Sequence, residues 1–448
     1  MKIIKNAFIL KSKKAQVFDI LFDDKIIKIA KSIKVEPDIE VIDLHGKLLI
    51  PGCIDAHVHF NDPGFTDRED FTTGTTAAAF GGITTIIDMP CTSTPAVTNY
   101  ENLHKKLNVI SSKAIVDFAL WGGIRKNDFP IDYKMIMKLW QSGVVGFKIY
   151  TISGMETFTA LSYKDIENVF KKFPEILFAF HAEDESVINN SMNIFTNEQL
   201  KLPENYVKTR PVKAETTAVK KIISSVGKKN KVHFVHISSK NAAKLILESK
   251  EKFNVSFESC PQYLQFTSSD FPSLKGKLKT APPVKFEEDK DYLRNCLKNG
   301  TLDFVTTDHA GCDYKKGKVF DDFSKVYNGI PGTELMIPYL FSEFYLKEKV
   351  SLKRMIELTS ENAAKRYGLF PKKGSLQVGT DADFTIIDLS KPYLVDESDL
   401  HSIGKYSPFH ETELACSIDK TVVRGNIVFD TEKGILQEPG YGKFISRS

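Results

Sequence analysis

The sequence predicts an α/β fold, a (β/α)8 barrel joined to a small β-rich domain that both chain ends build. From about residue 50 to residue 370, apolar strand-like segments alternate with helical segments, which is typical of a parallel sheet. So many strand–helix units over about 320 residues favour closure of that sheet into a barrel. Both ends of the chain instead carry only short strand-like segments between turn residues.

The two chain ends are predicted to pair with each other. Strand-like segments in both are Ile3–Leu10, Gln16–Phe22, Lys25–Ile29, Val41–Asp43, Lys47–Leu49, Ala382–Asp388 and Lys420–Phe429. Turn residues such as Gly46 and Gly425 separate them. We therefore predict that residues 1–50 and 371–448 form one discontinuous domain and that residues 51–370 form the barrel.

The central region supplies strands and helices in alternation. Its predicted strands include Thr84–Asp88, Ile115–Leu120, Gly146–Tyr150, Ile176–Phe180, Val232–Val235, Asn254–Phe257 and Phe304–Thr306. Its predicted helices include Thr72–Phe80, Tyr133–Gln141, Tyr163–Phe173, Glu215–Ser225, Lys240–Ser249, Asp289–Leu297 and Leu352–Tyr367. Each helix can return the chain to the start of the next parallel strand.

The composition argues against several classes of protein. The chain of 448 residues is 42% hydrophobic and 26% charged, as in an ordinary globular protein. Its net charge of +4 comes without a dense Lys/Arg block, which argues against nucleic-acid binding. No apolar run suits a membrane span or a signal peptide, and the six cysteines are too scattered for a disulfide framework. We expect a reduced, cytoplasmic protein that binds neither nucleic acid nor membrane.

Rare histidines mark a candidate metal site. Only ten occur, and His57 and His59 stand two apart in a strand-like segment, so both side chains point to one face. A lone pair of this kind would more often simply pack. Four further polar residues lie in or at the ends of later strands, however: Lys148, His181, His236 and Asp308. Because the carboxyl ends of barrel strands converge on one mouth, this set predicts a centre for Zn²⁺ or a related divalent ion.

Lys148 is an unusual member of the set, because an ammonium group has no lone pair for a metal. It would need either a strongly lowered pKa or conversion to a carbamate, which supplies two anionic oxygens. Of the other histidines, His233 is an odd number of positions from His236 and is predicted to be structural. His309 is expected either to support Asp308 or simply to pack.

The motifs around these residues resemble those of the amidohydrolase superfamily, in its dihydroorotase, allantoinase and hydantoinase group. The similar segments run from Asp55–Phe60 through Phe71–Thr85 to Gly379–Phe384, which is nearly the whole chain. The resemblance implies a TIM-like barrel with a small β-sandwich built from both termini. It also implies a hydrolase that opens a cyclic amide or ureide ring and that assembles as a homodimer or homotetramer.

The resemblance further implies two Zn²⁺ ions per subunit. It assigns His57, His59 and Asp308 to a more buried ion, and His181 and His236 to a more exposed ion. Lys148, as a CO₂-derived carbamate, would bind both. A hydroxide bridging the ions would attack the amide carbonyl. Asp308 would be the catalytic residue, taking the hydroxide proton and passing it to the leaving nitrogen.

Substrate contacts are expected at Asn61, Cys91, Lys285, Cys312 and Asn328. Asn61 and Lys285 stand where dihydroorotases carry arginines, and Cys91 stands where they carry an asparagine. An arginine can form two parallel hydrogen bonds to a carboxylate, and its absence makes a substrate with a carboxylate less favoured. Cys312 looks allantoinase-like and Asn328 hydantoinase-like. We therefore expect a neutral ureide such as allantoin or a hydantoin.

Two alternatives remain open. The first is a true dihydroorotase of pyrimidine biosynthesis with an altered carboxylate anchor, for which Arg68 or Lys285 would substitute. The second belongs to another class, an inactive dihydroorotase-like scaffold that binds partners. Such scaffolds typically have lost several metal ligands, whereas this chain keeps all six candidate positions.

Overall fold

The computed structural model describes residues 1–11 and 14–447 of the chain. Its strands are β1 (Lys2–Lys11), β2 (Lys14–Phe22), β3 (Ile26–Ala30), β4 (Glu40–Asp43), β5 (Leu48–Pro51), β6 (Cys53–Val58), β7 (Ile83–Asp88), β8 (Asp117–Leu120), β9 (Gly122–Gly123) and β10 (Phe147–Tyr150). They continue with β11 (Leu177–His181), β12 (Lys231–Phe234), β13 (Asn254–Ser259), β14 (Phe304–Val305), β15 (Phe384–Asp388), β16 (Tyr393–Leu394), β17 (Glu413–Leu414), β18 (Ser417–Val423), β19 (Asn426–Asp430) and β20 (Gly434–Ile435).

The helices lie mostly between the strands of the central region. They are α1 (Phe71–Phe80), α2 (Tyr100–Ile110), α3 (Tyr133–Gln141), α4 (Tyr163–Lys172), α5 (Glu185–Met192), α6 (Asn197–Leu200), α7 (Pro203–Thr209) and α8 (Val212–Ile223). After these come α9 (Lys240–Ser249), α10 (Pro261–Gln265), α11 (Phe271–Leu274), α12 (Glu287–Asn299), α13 (Tyr314–Gly317), α14 (Met336–Leu340), α15 (Leu352–Ile356) and α16 (Asn362–Arg366). Shorter 3₁₀ helices cover Lys126–Asp128, Ser268–Asp270, Lys275–Leu278, Phe323–Lys325 and Glu397–Asp399. π-helical turns at Phe341–Lys347 and Glu357–Glu361 follow α14 and α15, so the predicted helix Leu352–Tyr367 is interrupted.

The central strands close into a barrel of eight parallel positions. β6, β7 and β8 form one parallel group, and β9 to β14 form another. β8 and β9 follow each other along the chain and occupy one strand position that joins the two groups. Trp121 N, between them, donates to Asp88 O in β7 (3.0 Å), and Gly122 N donates to Gly146 O just before β10 (2.9 Å). The barrel closes after β14, where His59 N donates to His309 O (2.8 Å). The predicted TIM-like fold is confirmed.

The barrel strands are buried on both faces, as expected when helices cover a parallel sheet. α4 shows how the sequence produces such a covering helix. Ser162 caps its first turn, with its side chain accepting from the backbone N–H of Asp165. Ile166, Val169 and Phe170 then recur at helical spacing and are all buried.

Strands from both chain ends form one nine-stranded sheet in the order β20-β19-β18-β15-β5-β1-β2-β3, with β4 on β1. The two ends meet where β15 pairs antiparallel with β5. The rings of Phe22 in β2 and Phe384 in β15 lie 5.3 Å apart, although two strands separate them along the sheet. In a flat sheet that separation would be about 14 Å. The sheet therefore folds over on itself around its own small core, as in a sandwich.

A buried ion network joins this sheet to the barrel. Lys373 Nζ lies 2.6 Å from a carboxylate oxygen of Asp117 in β8, 2.6 Å from Asp383 and 3.1 Å from Asp381. Arg424 also pairs with Asp117.

Among the described residues, the structure contains no helix with the length and hydrophobicity of a membrane span.

Candidate metal centre

His57 in β6 and His59 just beyond it meet a carboxylate that follows the last barrel strand. His57 and His59 point to the same side of their strand, as their spacing predicts. Asp308 Oδ1 lies 3.1 Å from His57 Nε2 and 3.2 Å from His59 Nε2. Asp308 follows β14 and has a left-handed backbone, with φ of +52°. A non-glycine residue held in that region is strained, as is often seen at functional sites.

A second pair of histidines lies on neighbouring strands of the same mouth. His181 is the last residue of β11, and His236 lies just beyond the end of β12, again with a positive φ of +41°. Their Nδ1 and Nε2 atoms are 3.1 Å apart. Two nitrogens that bind one tetrahedral Zn²⁺ lie about 3.3 Å apart, which follows from bonds of about 2.0–2.1 Å. The pair is therefore spaced as two ligands of one ion.

Lys148 and the rings of His57 and His236 connect the two groups. The His57 and His236 ring centroids are 5.4 Å apart. The Lys148 side chain is fully buried, and its Nζ has no hydrogen-bond partner among the described residues. His57 Nε2, which lies 3.1 Å from Asp308 Oδ1 without the geometry of a hydrogen bond, and His236 Nδ1 also lack one. Unpartnered buried nitrogens are costly, and divalent cations beside these side chains would reduce that cost.

The protonation states of most of these groups suit metal binding. Burial lowers the pKa of Lys148 to about 8 and that of His57 to about 4. Burial would raise the pKa of Asp308, but the neighbouring His57 and His59 outweigh it and lower that pKa. For His59, Cys91 and Asp308 outweigh burial and raise the pKa to about 10. A bound cation would displace that proton, as metal binding to histidine generally does.

A buried glutamate holds His57 from behind. Glu258 Oε1 in β13 lies 2.5 Å from His57 Nδ1, and its Oε2 lies 3.0 Å from His233 Nε2. Burial would raise the pKa of Glu258, but the two imidazoles outweigh it and hold that pKa well below its usual range. An ionised Glu258 accepts from His57 Nδ1–H and leaves Nε2 free to bind a cation. His233 thus belongs to this support.

His309 contacts a different carboxylate. Its Nε2 lies 3.1 Å from Glu69 Oε2, and its Nδ1 accepts from the backbone N–H of Gly332 at 3.2 Å. These contacts fix the loop that follows Asp308. They do not include the Asp308 side chain, so His309 supports Asp308 only through the backbone.

His181 has its own buried support. Glu183 Oε2 lies 3.2 Å from His181 Nε2, and Glu183 also pairs with the guanidinium of Arg210. Glu183 is fully buried, and burial would raise its pKa, but Arg210 and His181 outweigh it and lower that pKa. The sequence offered no signal for Arg210, which precedes α8 and reaches the site only through the fold.

The histidines open onto a cavity of about 600 Å³ at the carboxyl ends of the strands. Besides His59, His181, His236 and Asp308, side chains that line it include Arg68, Cys91, Tyr150, Ile152, Ser153, Met155, Ile188, Arg210, Tyr327 and Asn328. Tyr150 lies two residues after Lys148 in β10, and its hydroxyl is 3.2 Å from Cys91 Sγ. That spacing could have revealed Tyr150 from the sequence, because alternate strand residues share a face.

The structure separates the predicted substrate contacts into two groups. Cys91 and Asn328 line the cavity. Asn61, Lys285 and Cys312 are buried and do not line it, so a substrate contact by these three stays a prediction. Each of these side chains contacts a neighbouring group outside the cavity.

Asn61 has a φ of +51°, and its Nδ2 donates to His59 O at 3.1 Å. Lys285 Nζ donates to Arg210 O at 2.5 Å. Cys312 Sγ packs 3.5 Å from the Tyr406 hydroxyl. By contrast Arg68, considered only as an alternative anchor, does line the cavity.

Comparisons with known proteins agree with this geometry. Residues 48–428 match the amidohydrolase family. The chain is 34% identical to an L-hydantoinase from Paenarthrobacter aurescens over 99% of this chain and 98% of the relative. It is 33% identical to an allantoinase from Rubrobacter xylanophilus over 92% and 91%. A solved L-hydantoinase (dihydropyrimidinase) from Arthrobacter aurescens superposes with a TM-score of 0.94, at 32% identity, over 100% of this chain and 99% of that one. The chain belongs to the amidohydrolase family, in its group of cyclic amidohydrolases.

Proposed function

We propose that this protein hydrolyses a cyclic ureide, opening the ring at an amide bond, with allantoin or a hydantoin as the substrate type. The observation that carries the proposal is the convergence of the six candidate ligands at one end of the barrel, beside a cavity large enough for a small ring. Relatives named as allantoinases and hydantoinases align with nearly the whole chain and support the same reaction class.

The ligand set fits two divalent cations, which we propose to be Zn²⁺. Imidazole nitrogens and carboxylate oxygens are the donors that Zn²⁺ takes. His57, His59 and Asp308 would hold one ion, and His181 and His236 the other. Lys148, the sixth member of the set, would join them as a CO₂-derived carbamate. Its buried, unpartnered amine with a pKa of about 8 supports this, because only a neutral amine reacts with CO₂.

Ring opening then depends on positioned side chains. When bound, the cations would lower the pKa of water and polarise the amide carbonyl. Asp308 lines the cavity and lies against both His57 and His59, so its carboxylate can accept a proton there and pass it to the leaving nitrogen. Glu258 and Glu183 hold His57 and His181 in fixed orientations. Cys91 and Asn328 would contact the ring.

Two alternatives are less well supported. A dihydroorotase anchored through Lys285 is disfavoured, because the Lys285 ammonium is turned to Arg210 O and away from the cavity. A metal-free scaffold would not need three buried nitrogens, among the described residues, that have no hydrogen-bond partner. A cytoplasmic location is part of the proposal and is supported by six cysteines without a disulfide. We also propose a homodimer or homotetramer, by analogy with the family.

The proposal is tested on one preparation by metal analysis and by an activity panel of allantoin, substituted hydantoins, dihydrouracil and dihydroorotate. We expect two Zn²⁺ per subunit and ring opening of at least one neutral ureide. In Asp308→Asn we expect no ring opening, and we expect circular dichroism to show that the fold is retained. A protein with well under one metal ion per subunit, or full activity in Asp308→Asn, would contradict the proposal.

A further inference from the structure

Arg68 is a positively charged residue of the cavity lining that forms no ion pair with any residue that the structure describes. The cavity contains two arginines, and Arg210 is ion-paired with the buried Glu183. The Arg68 guanidinium, by contrast, makes no hydrogen bond or ion pair with any residue that the structure describes. The neighbouring Glu69 is committed to His309 and Ser402. Arg68 therefore presents free donors to whatever occupies the cavity.

Two aromatic rings hold the guanidinium in place. Arg68 Cζ lies 4.8 Å from the ring centroid of Phe65 and 5.0 Å from that of Tyr327. Tyr327 itself lines the cavity. Contact with two aromatic rings limits where the guanidinium can move without using its N–H groups, so these donors stay available to a planar acceptor.

The position of Arg68 suggests which part of a substrate it meets. Arg68 is partly exposed, whereas His59, His181 and His236, which line the same cavity, are buried. A ring amide placed against the histidines would direct its substituent outward. Much of the remaining lining is aliphatic, for example Ile152, Met155 and Ile188, and those side chains offer no hydrogen bond.

We propose that Arg68 is a specificity-determining residue that binds a planar acceptor at the end of the ring substituent, either a carboxylate or the carbonyl of a ureido group. The inference rests on the proposed function for its ring and adds the chemistry of the substituent. A guanidinium fork matches both acceptors with two parallel hydrogen bonds. A ring with an alkyl substituent would gain nothing from Arg68.

The test compares wild type with Arg68→Met on three rings that share a hydantoin core: 5-carboxymethylhydantoin, allantoin with its ureido group, and 5-isopropylhydantoin. We expect kcat/KM to fall about 10- to 100-fold for the first two and to stay within about twofold for the third. Arg68→Gln keeps neutral donors and should retain more activity on allantoin than on the carboxylate. Lys105→Met, which removes an exposed positive charge on α2, is the matched control and should leave all three unchanged.

Calorimetric binding of the same three rings is measured in an Asp308→Asn background, in which we expect no turnover, so it tests Arg68 separately from the proposed reaction. We expect Arg68→Met in this background to bind the carboxylate and ureido rings more weakly than the Asp308→Asn parent and to bind the isopropyl ring equally. An equal loss for all three rings, or no loss for any, would overturn the role of Arg68. Failure of wild type to open any ring, with selective binding intact, would count against the proposed function alone.

Discussion

His57 Nδ1 lies 2.5 Å from Glu258 Oε1, so a carboxylate on β13 fixes a ring that β6 carries. The second Glu258 oxygen is held 3.0 Å from His233 Nε2, and His233 Nδ1 lies 2.7 Å from the Ser256 hydroxyl. All these groups are buried. The chain of contacts leaves Glu258 little freedom to move and so sets both the tautomer and the orientation of His57.

Replacing Glu258 by glutamine should weaken metal binding without unfolding the protein. Glutamine keeps the size of the side chain but removes the negative charge that favours His57 Nδ1–H. We expect the affinity for the more buried ion to fall about 10- to 100-fold, as for other partners of metal-bound histidines. Competition with a chromophoric chelator measures it.

Glu215→Gln is the matched control for this change. Glu215 is also fully buried, but it bonds to Ser238 and Ser239 and contacts no histidine. Burial raises its pKa to about 7, so a neutral amide resembles its protonated form. Equal metal affinity in Glu258→Gln and Glu215→Gln would show that Glu258 does not act through His57.

Lys148→Ala should lose both metal ions and the activity. The change removes the group that would join the two ions and leaves a space beside His57 and His236. Short carboxylic acids such as acetate or propionate can enter that space and should restore part of the activity. Lys279→Ala, which alters another buried lysine outside the cavity lining, should need no such rescue. Normal binding of two metals by Lys148→Ala would rule out the bridge.

The pH dependence of carbamate formation offers a separate test of Lys148. Burial lowers the pKa of its ammonium to about 8 in the metal-free protein. The neutral, reactive fraction therefore reaches one half near pH 8 and levels off about one pH unit higher. An ordinary lysine would still be gaining reactivity toward about pH 10.4. Carbon-13 NMR of metal-free protein in labelled bicarbonate, corrected for free CO₂, should show a rate that is half-maximal near pH 8 and levels off about one pH unit above it.

The fold was largely predictable because its strands and helices differ in period and length. The strand at Thr84–Asp88 and the helix at Tyr133–Gln141 agree with β7 and α3 to within a residue. What the sequence could not show was the interruption of the helix after Ile356, since the spacing of its apolar residues does not mark the π-helical turn in which Leu358 and Thr359 are buried. The curl of the terminal sheet likewise depends on long-range contacts such as Phe22 with Phe384.

The geometry of the site follows from the sequence for side chains in a barrel strand or just beyond its end, and does not for side chains on longer loops. Alternation from His57 in β6 to His59 just beyond it predicts that both side chains share one face, and both lie beside Asp308 Oδ1. Asn61, only two residues further, follows a left-handed turn that returns its amide to His59 O. Arg210 comes from the loop between α7 and α8, and its distance from the histidines along the chain gives no hint of the ion pair with Glu183.

Lys373→Met should destabilise the junction between the barrel and the terminal sheet. The change leaves the buried carboxylates of Asp117, Asp381 and Asp383 without their shared cation, and breaking a buried ion network of this kind costs about 3–5 kcal/mol. Urea unfolding followed by tryptophan fluorescence measures the loss. Lys105→Met, on the exposed face of α2, should change stability by less than about 0.5 kcal/mol.

The pH dependence of that loss has a definite sign. Burial would lower the pKa of Lys373, but Asp383, Asp117 and Asp381 outweigh it and raise that pKa above its ordinary value. A raised lysine pKa stabilises the fold fully below the unfolded pKa of about 10.4, and the contribution declines only as the pH rises from there through the folded value. The difference in unfolding free energy between wild type and Lys373→Met should therefore be constant from about pH 7 to pH 10 and shrink above it. A difference that already shrinks near pH 8 would mean that Lys373 is not held as a cation by the three carboxylates.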